Sequence, residues 1–244
     1  MLSGDLHETL WSVSVWILPI LTAIPFHEAA HGLVAYRLGD DTAFQRGRVT
    51  LNPLRHVDPF GTIILPLLLK FAGSPFLFGY AKPVPVNFGR LRHPRRDTIL
   101  VAAAGPATNI LLAFISGLLL HVASLLPMGA ALWLAVTLFY SIVLNLSLAV
   151  FNMIPVPPLD GGRVLVGLLP RTLALPLARL ERFGMLILLF ILVVLPLVGE
   201  AMHQDLNLLP RLLLPPVNFL YNAVMTITGA GPALDAAGVS DGGT

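Results

Sequence analysis

Long apolar stretches separated by short polar clusters dominate the chain, and their lengths predict helices rather than strands. The first runs from about residue 10 to 38 and is interrupted only by Pro19, Pro25 and the group His27, Glu28, His31. It exceeds the roughly 20 apolar residues that cross a bilayer. The stretches 98–126 and 130–153, joined at Leu126-Pro127-Met128-Gly129, predict an antiparallel helical pair, and further apolar segments lie at 183–199 and 206–228. An interfacial piece carrying Arg171, Arg179 and Arg182 is expected before 183. Gly61 to Gly73 is apolar over only about thirteen residues, which suits a short or re-entrant element. Residues 39–59 carry turn chemistry at Asn52-Pro53 and Asp58-Pro59 and read as a loop or a short strand pair. The run 79–88 alternates Val with Pro, a pattern that excludes helix. It predicts an extended edge on which the Val84 and Val86 N–H groups stay free to pair. The expected fold is an all-α polytopic membrane protein of about five to six transmembrane helices, with a short re-entrant or extended segment near 74–88. One transmembrane domain is expected over 1–228, followed by a disordered Gly/Ala-rich tail over 229–244.

Composition turns this pattern into an environment. Hydrophobic residues make up 56% and charged residues 11% of the 244, with a mean hydropathy of +0.81. Soluble chains hold roughly 45–50% apolar and about 25% charged residues. So few charges cannot coat a water-facing exterior, so bilayer hydrocarbon must solvate much of the surface. Intrinsic disorder is excluded on the same grounds. The N-terminus carries Asp5 and Glu8 without a basic residue, unlike a signal peptide, so the first segment is expected to stay attached. Of the 15 Lys and Arg, Arg211 alone lies outside 37–182. Basic residues in short loops mark the cytoplasmic side, which predicts an external N-terminus and a functional site facing the cytoplasm. The run Arg90 to Arg96 reads as an anchor to anionic headgroups, with no nucleic-acid partner.

Zero cysteines exclude disulfides, thiolate metal sites and Cys nucleophiles, leaving His, Asp and Glu to hold any metal. His27-Glu28-Ala29-Ala30-His31 offers two imidazoles four residues apart. On a helix they share a face and can converge on one metal, with Glu28 beside them as a general base. Ionisable groups within a span cost on the order of 2.5–3.5 kcal/mol for an acidic or basic side chain on insertion scales, so such a group is a functional candidate. Hydrolytic zinc sites use three protein ligands and one open position. The best third candidate is Asp160, in Asn152-Met153-Ile154-Pro155-Val156-Pro157-Pro158-Leu159-Asp160-Gly161-Gly162, where three prolines break the helix. Asp160 also reads as a simple N-cap before Gly161.

Together these motifs resemble the site-2 protease family of intramembrane zinc metalloproteases, in its compact prokaryotic branch without a PDZ domain. The resemblance extends through residues 51–62, 81–87 and Gly105-Pro106-Ala107-Thr108-Asn109, and covers roughly residues 10 to 200. It implies a zinc endopeptidase that cuts transmembrane protein substrates within the bilayer. By it, His27, His31 and Asp160 would ligate Zn2+, Glu28 would be the general base, and Asn152 would orient substrate or stabilise the oxyanion. Many members carry a span before the motif-bearing helix, whereas here the motif lies in the first. A metal-ion transporter using the same His/Glu/Asp cluster is the alternative, and it predicts further ligands along a path. His56 is expected to cap the next element rather than to approach the metal, and Asn109 and Asn145 to make interhelical hydrogen bonds. His121 is expected at a span's far end, and His7, His93 and His203 on the surface.

Overall fold

A computed structural model describes residues 2–71, 79–204, 206–237 and 239. Among them the regular elements are helical, with no strand. Helix α1 spans Leu2–Arg37 and stays continuous through Pro19 and Pro25. Each proline removes one backbone donor, and such breaks are tolerated in membrane spans where side chains take up the freed groups. Between the two prolines the Thr22 hydroxyl bonds back within the helix, donating to Leu18 O at 2.8 Å and to Pro19 O at 3.2 Å.

After α1 come a single turn, α2 (Thr42–Gln45), a 3-10 turn at Pro53–Arg55, and a π-turn at Pro59–Ile64 that leads into α3 (Leu65–Phe71). Of the two readings of 39–59, loop or short strand pair, the structure shows the loop, with short helical turns in it and no strand. Residues 79–87 have no regular structure, and residues 72–78, which include the first part of the expected re-entrant segment, lie outside the described residues. The expected pair of spans is α4 (Pro94–Ala123) and α5 (Met128–Asn152). After the proline-rich break come α6 (Asp160–Leu168) and α7 (Arg171–Leu189), which runs on through a π-turn (Phe190–Val194) into α8 (Leu195–Ala201). The expected interfacial piece and the span after it are thus one continuous helical stretch. Helices α9 (Leu208–Thr228) and α10 (Gly231–Ala236) follow. Part of the tail expected to be disordered is thus helical, with Ala233 and Leu234 buried.

Among the described residues, four stretches are long and apolar enough to cross a membrane: His7–Arg37, Pro94–Ala123, Met128–Asn152 and Arg171–Ala201. The expectation of five to six also counted α9, which carries Arg211, Pro215 and Pro216, and the short α3 region.

Helix pairing explains where the ends fall. Ala23 meets Asn109 and His31 meets Val101, so α4 runs antiparallel to α1. Trp133 Nε1 donates to Ser14 Oγ at 2.9 Å, and Trp16 stacks on Tyr140 with ring centroids 4.3 Å apart. Helix α5 is therefore parallel to α1, and the break after Asn152 opens at the same end as the second half of α1. At the opposite end Ala113, Leu120, Leu138, Ile142, Val224 and Leu234 form the main apolar core. Ala113, Ala123 and Ala135 are fully buried there, as expected where membrane helices approach closely through small residues.

Candidate metal centre

His27 and His31 lie one above the other on α1, and Asp160 is the first residue of α6. The helix N-cap is Leu159, with no side-chain cap. The Asp160 carboxylate thus does not cap its own helix and instead turns to the histidines. Asp160 Oδ2 stands 3.2 Å from His27 Nε2 and 3.3 Å from His31 Nε2, and the two Nε2 atoms are 3.1 Å apart. All three residues are buried, at 6–7% exposure. A metal at about 2.0–2.2 Å from each donor in tetrahedral geometry would set donors roughly 3.3–3.6 Å apart. The observed triangle is close to that size.

The protons of this group argue for a cation. His31 Nδ1 lies 2.7 Å from Val101 O, and a backbone carbonyl can only accept, so this nitrogen carries the proton. His27 Nδ1 lies 2.5 Å from Asn109 Oδ1. The Asn109 amide has its sense set on the other side, where Nδ2 donates to Asn145 Oδ1 at 2.8 Å and to Ala23 O at 3.3 Å. In the neutral rings both Nε2 atoms therefore present lone pairs to one another and to a carboxylate oxygen. Asp160 Oδ2 is buried and accepts no hydrogen bond. Three lone-pair atoms at this spacing repel unless positive charge lies among them, and His27, His31 and Asp160 together could hold a metal ion.

Gly105 lets α4 come this close. A Cβ there would fall 2.4 Å from His31 Nε2 and 2.6 Å from His27 Nε2. The proline-rich break needs glycine in the same way, because a Cβ on Gly161 would meet Met153 O at 2.2 Å. Helix α6 can therefore start directly against the turn that delivers Asp160.

A cavity of about 310 Å³ opens beside the triad, lined among others by Glu28, Asn152, Tyr80, Phe151, Met185 and Leu188. Glu28 stands apart from the triad and accepts the Val84 N–H on Oε2 at 2.7 Å. Val84 is buried. The donor expected to be free for pairing is thus engaged, and by the carboxylate next to the histidines. Asn152 faces the cavity, and its Nδ2 donates to Leu148 O at 2.9 Å.

The strap over residues 79–87 is held by charges that the sequence did not single out. Buried Arg48 donates through Nη2 to Lys82 O at 2.6 Å and to Pro83 O at 3.3 Å, and through Nη1 to Arg55 O. Asp40 accepts the Asn87 N–H at 2.6 Å and both the N–H and the hydroxyl of Thr42. Burial pushes the Asp40 carboxyl up, but the hydrogen bonds from Thr42 and Asn87, with Arg90 nearby, outweigh it and hold the group below the usual carboxylate range. The motif Leu38-Gly39-Asp40 after α1 was the one available cue, a helix stop followed by an acid. His56 does not approach the triad. It ends the 3-10 turn, its Nε2 bonds Thr50 O at 2.8 Å, and its backbone carbonyl accepts from Lys82 N. His121 bonds Thr228 O, and His7, His93 and His203 are exposed.

Comparison with known proteins places this geometry in a family. The profile described as Peptidase family M50 matches residues 121–195, which include Asn152 and Asp160. The "Putative zinc metalloprotease YwhC" of Bacillus subtilis is 41% identical over 195 residues, covering 78% of this chain and 85% of that protein. The chain belongs to peptidase family M50. Two further relatives of this M50 protein bear the same description. Rip2 of Mycobacterium tuberculosis is 34% identical over 193 residues, covering 77% of this chain and 71% of its own. MJ0611 of Methanocaldococcus jannaschii is 29% identical over 159 residues, covering 64% and 72%. No solved structure matches the M50 protein significantly. The family expected from the His-Glu-x-x-His and Asn152 to Asp160 motifs is the family found.

Proposed function

We propose that this M50 protein is an intramembrane zinc metalloprotease that hydrolyses peptide bonds of transmembrane protein substrates. In this reading His27, His31 and Asp160 hold the zinc, Glu28 is the general base, and Asn152 orients substrate or the developing oxyanion. The observation that carries it is the buried convergence of three lone-pair donors beside a separate carboxylate in one cavity, on helices apolar enough to span a bilayer. Zinc bound there acts as a Lewis acid and lowers the pKa of water toward about 7.

The protein's own groups supply the proton traffic. Glu28 takes a proton from the attacking water and returns it to the leaving amine. Its Oε2 holds the Val84 N–H, which orients the carboxylate while its further lone pairs remain for the water. An extended substrate pairing with the strap would compete for the same N–H. Asn152 Nδ2 has a second hydrogen beyond the one given to Leu148 O, which can be offered to a carbonyl oxygen in the cavity.

Glu28→Gln keeps shape and removes the proton acceptor. Zinc content should stay at the wild-type level while cleavage of a membrane substrate falls by at least about 10²–10⁴. Cleavage near the wild-type rate would refute the base assignment, and wild-type protein that cuts no membrane substrate would refute the proteolytic reading.

The site is taken to face the cytoplasm. It lies near the Arg37 end of α1, with His31 about 9 Å from that end at ~1.5 Å per residue, and the basic loops gather at the same end. Cysteine in place of exposed Arg46 or Arg171 should label only when the inner side is accessible. Cysteine in place of Gly129, where added side-chain atoms meet open space, should label from outside. The reverse pattern would invert the orientation.

A further inference from the structure

We propose that Asn109 is a positioning residue for the metal centre, and that Asn145 holds the Asn109 amide in the sense that keeps His27 an Nε2 ligand. The inference rests on the zinc reading above. An imidazole binds metal through the nitrogen without a proton, so a ligand using Nε2 must carry hydrogen on Nδ1 and give it to an acceptor. The two histidines solve this differently. His31 uses Val101 O, a backbone carbonyl that cannot turn round. His27 uses Asn109 Oδ1, one end of an amide whose other end is a donor of nearly the same shape. Were the amide flipped, its NH₂ would face the Nδ1–H and drive the proton to Nε2, where metal should bind.

A directed chain of hydrogen bonds prevents the flip. Asn109 Nδ2 donates to Ala23 O and to Asn145 Oδ1. Asn145 has its own sense set by Nδ2 donating to Ser141 O at 2.8 Å, an acceptor that cannot reverse. The Ser141 hydroxyl pairs with that of Ser116 at 2.8 Å. Asn109 and Asn145 are fully buried, so no solvent is at hand to satisfy a reversed amide. The chain thus runs from α5 through α4 to the ligand on α1, and Asn145 acts on a metal that it does not touch.

The test is zinc affinity of the purified full-length protein in lipid nanodiscs, measured by competition with a chelator, alongside thermal unfolding of the zinc-free protein. Asn109→Leu should weaken zinc binding by about 10–100-fold, the usual cost of losing such a partner. Asn109→Asp should bind zinc more tightly than Asn109→Leu, because a carboxylate oxygen still accepts from Nδ1 even though the other then faces Ala23 O and Asn145 Oδ1. Asn145→Leu should weaken zinc in the wild-type background and cost nothing in the Asn109→Asp background, where no amide needs orienting. Unchanged zinc affinity in Asn109→Leu and Asn145→Leu, with only the unfolding temperature lowered, would make both residues plain packing groups and overturn the proposal. Should Asn109→Leu fail to fold, equal zinc losses from Asn145→Leu in the two backgrounds would overturn it as well. A wild-type protein that binds no zinc would remove the metal centre itself, whereas tight wild-type binding with unaffected variants removes only this inference.

Discussion

The helical interior around the histidines and the strap over residues 79–87 meet at Glu28, yet they are held in different ways. In the interior, α1, α4 and α5 pack along their lengths, and each polar group reaches its partner across one helix interface, as in His27 to Asn109 to Asn145. Regular backbone pairs most of its own groups, so it is chiefly these side chains that need partners. The strap has no regular backbone. Its own N–H and C=O groups need partners, and charged side chains supply them: Glu28 for Val84, Arg48 for Lys82 and Pro83, Asp40 for Asn87. In the proposed function the first region would hold the metal and must not move, whereas the second would have to admit a substrate.

This contrast predicts that disturbing the interior removes the metal, whereas disturbing the strap leaves it. The largest effect is expected at Gly105→Ala. The new methyl group would sit 2.4–2.6 Å from the two Nε2 atoms, and α4 cannot retreat while Val101 and Asn109 bond the same rings. Zinc per protein, measured by mass spectrometry of the metal, should fall to near zero together with cleavage; full zinc content would show that α4 can yield. A smaller effect is expected at Arg48→Met, which leaves carbonyls on the strap without their charged donor at a cost of about 1.5–3 kcal/mol. Amide hydrogen exchange over 79–87 should speed up by roughly 10–100-fold, with zinc retained. Unaltered exchange would mean that the strap does not depend on Arg48.

The same contrast explains what could be read beforehand. Helical spacing alone put His27 and His31 on one face, and the proline-rich break after Asn152 marked where chain could leave a span and bring in Asp160. Pairing of the expected spans required only that short connections make neighbours antiparallel. Asn109 was recognised as an interhelical group, but one sequence does not show that its partner is His27, because that depends on the axial offset of α1 against α4. Arg48, Asp40 and the engaged Val84 N–H were hidden for a stronger reason. Their contacts join residues 34 to 56 apart through irregular chain, and no periodicity records them. Asp160 carried two readings, cap and ligand, and the cap reading fell when Leu159 was found at the cap position.

X-ray absorption at the zinc edge of the purified protein tests the central claim most directly. The account predicts bound zinc with two imidazole nitrogens and carboxylate or water oxygen, all at about 2.0–2.2 Å, and one imidazole fewer after His31→Ala. A wild-type spectrum with fewer than two imidazoles, or protein that takes up no zinc at all, would contradict it.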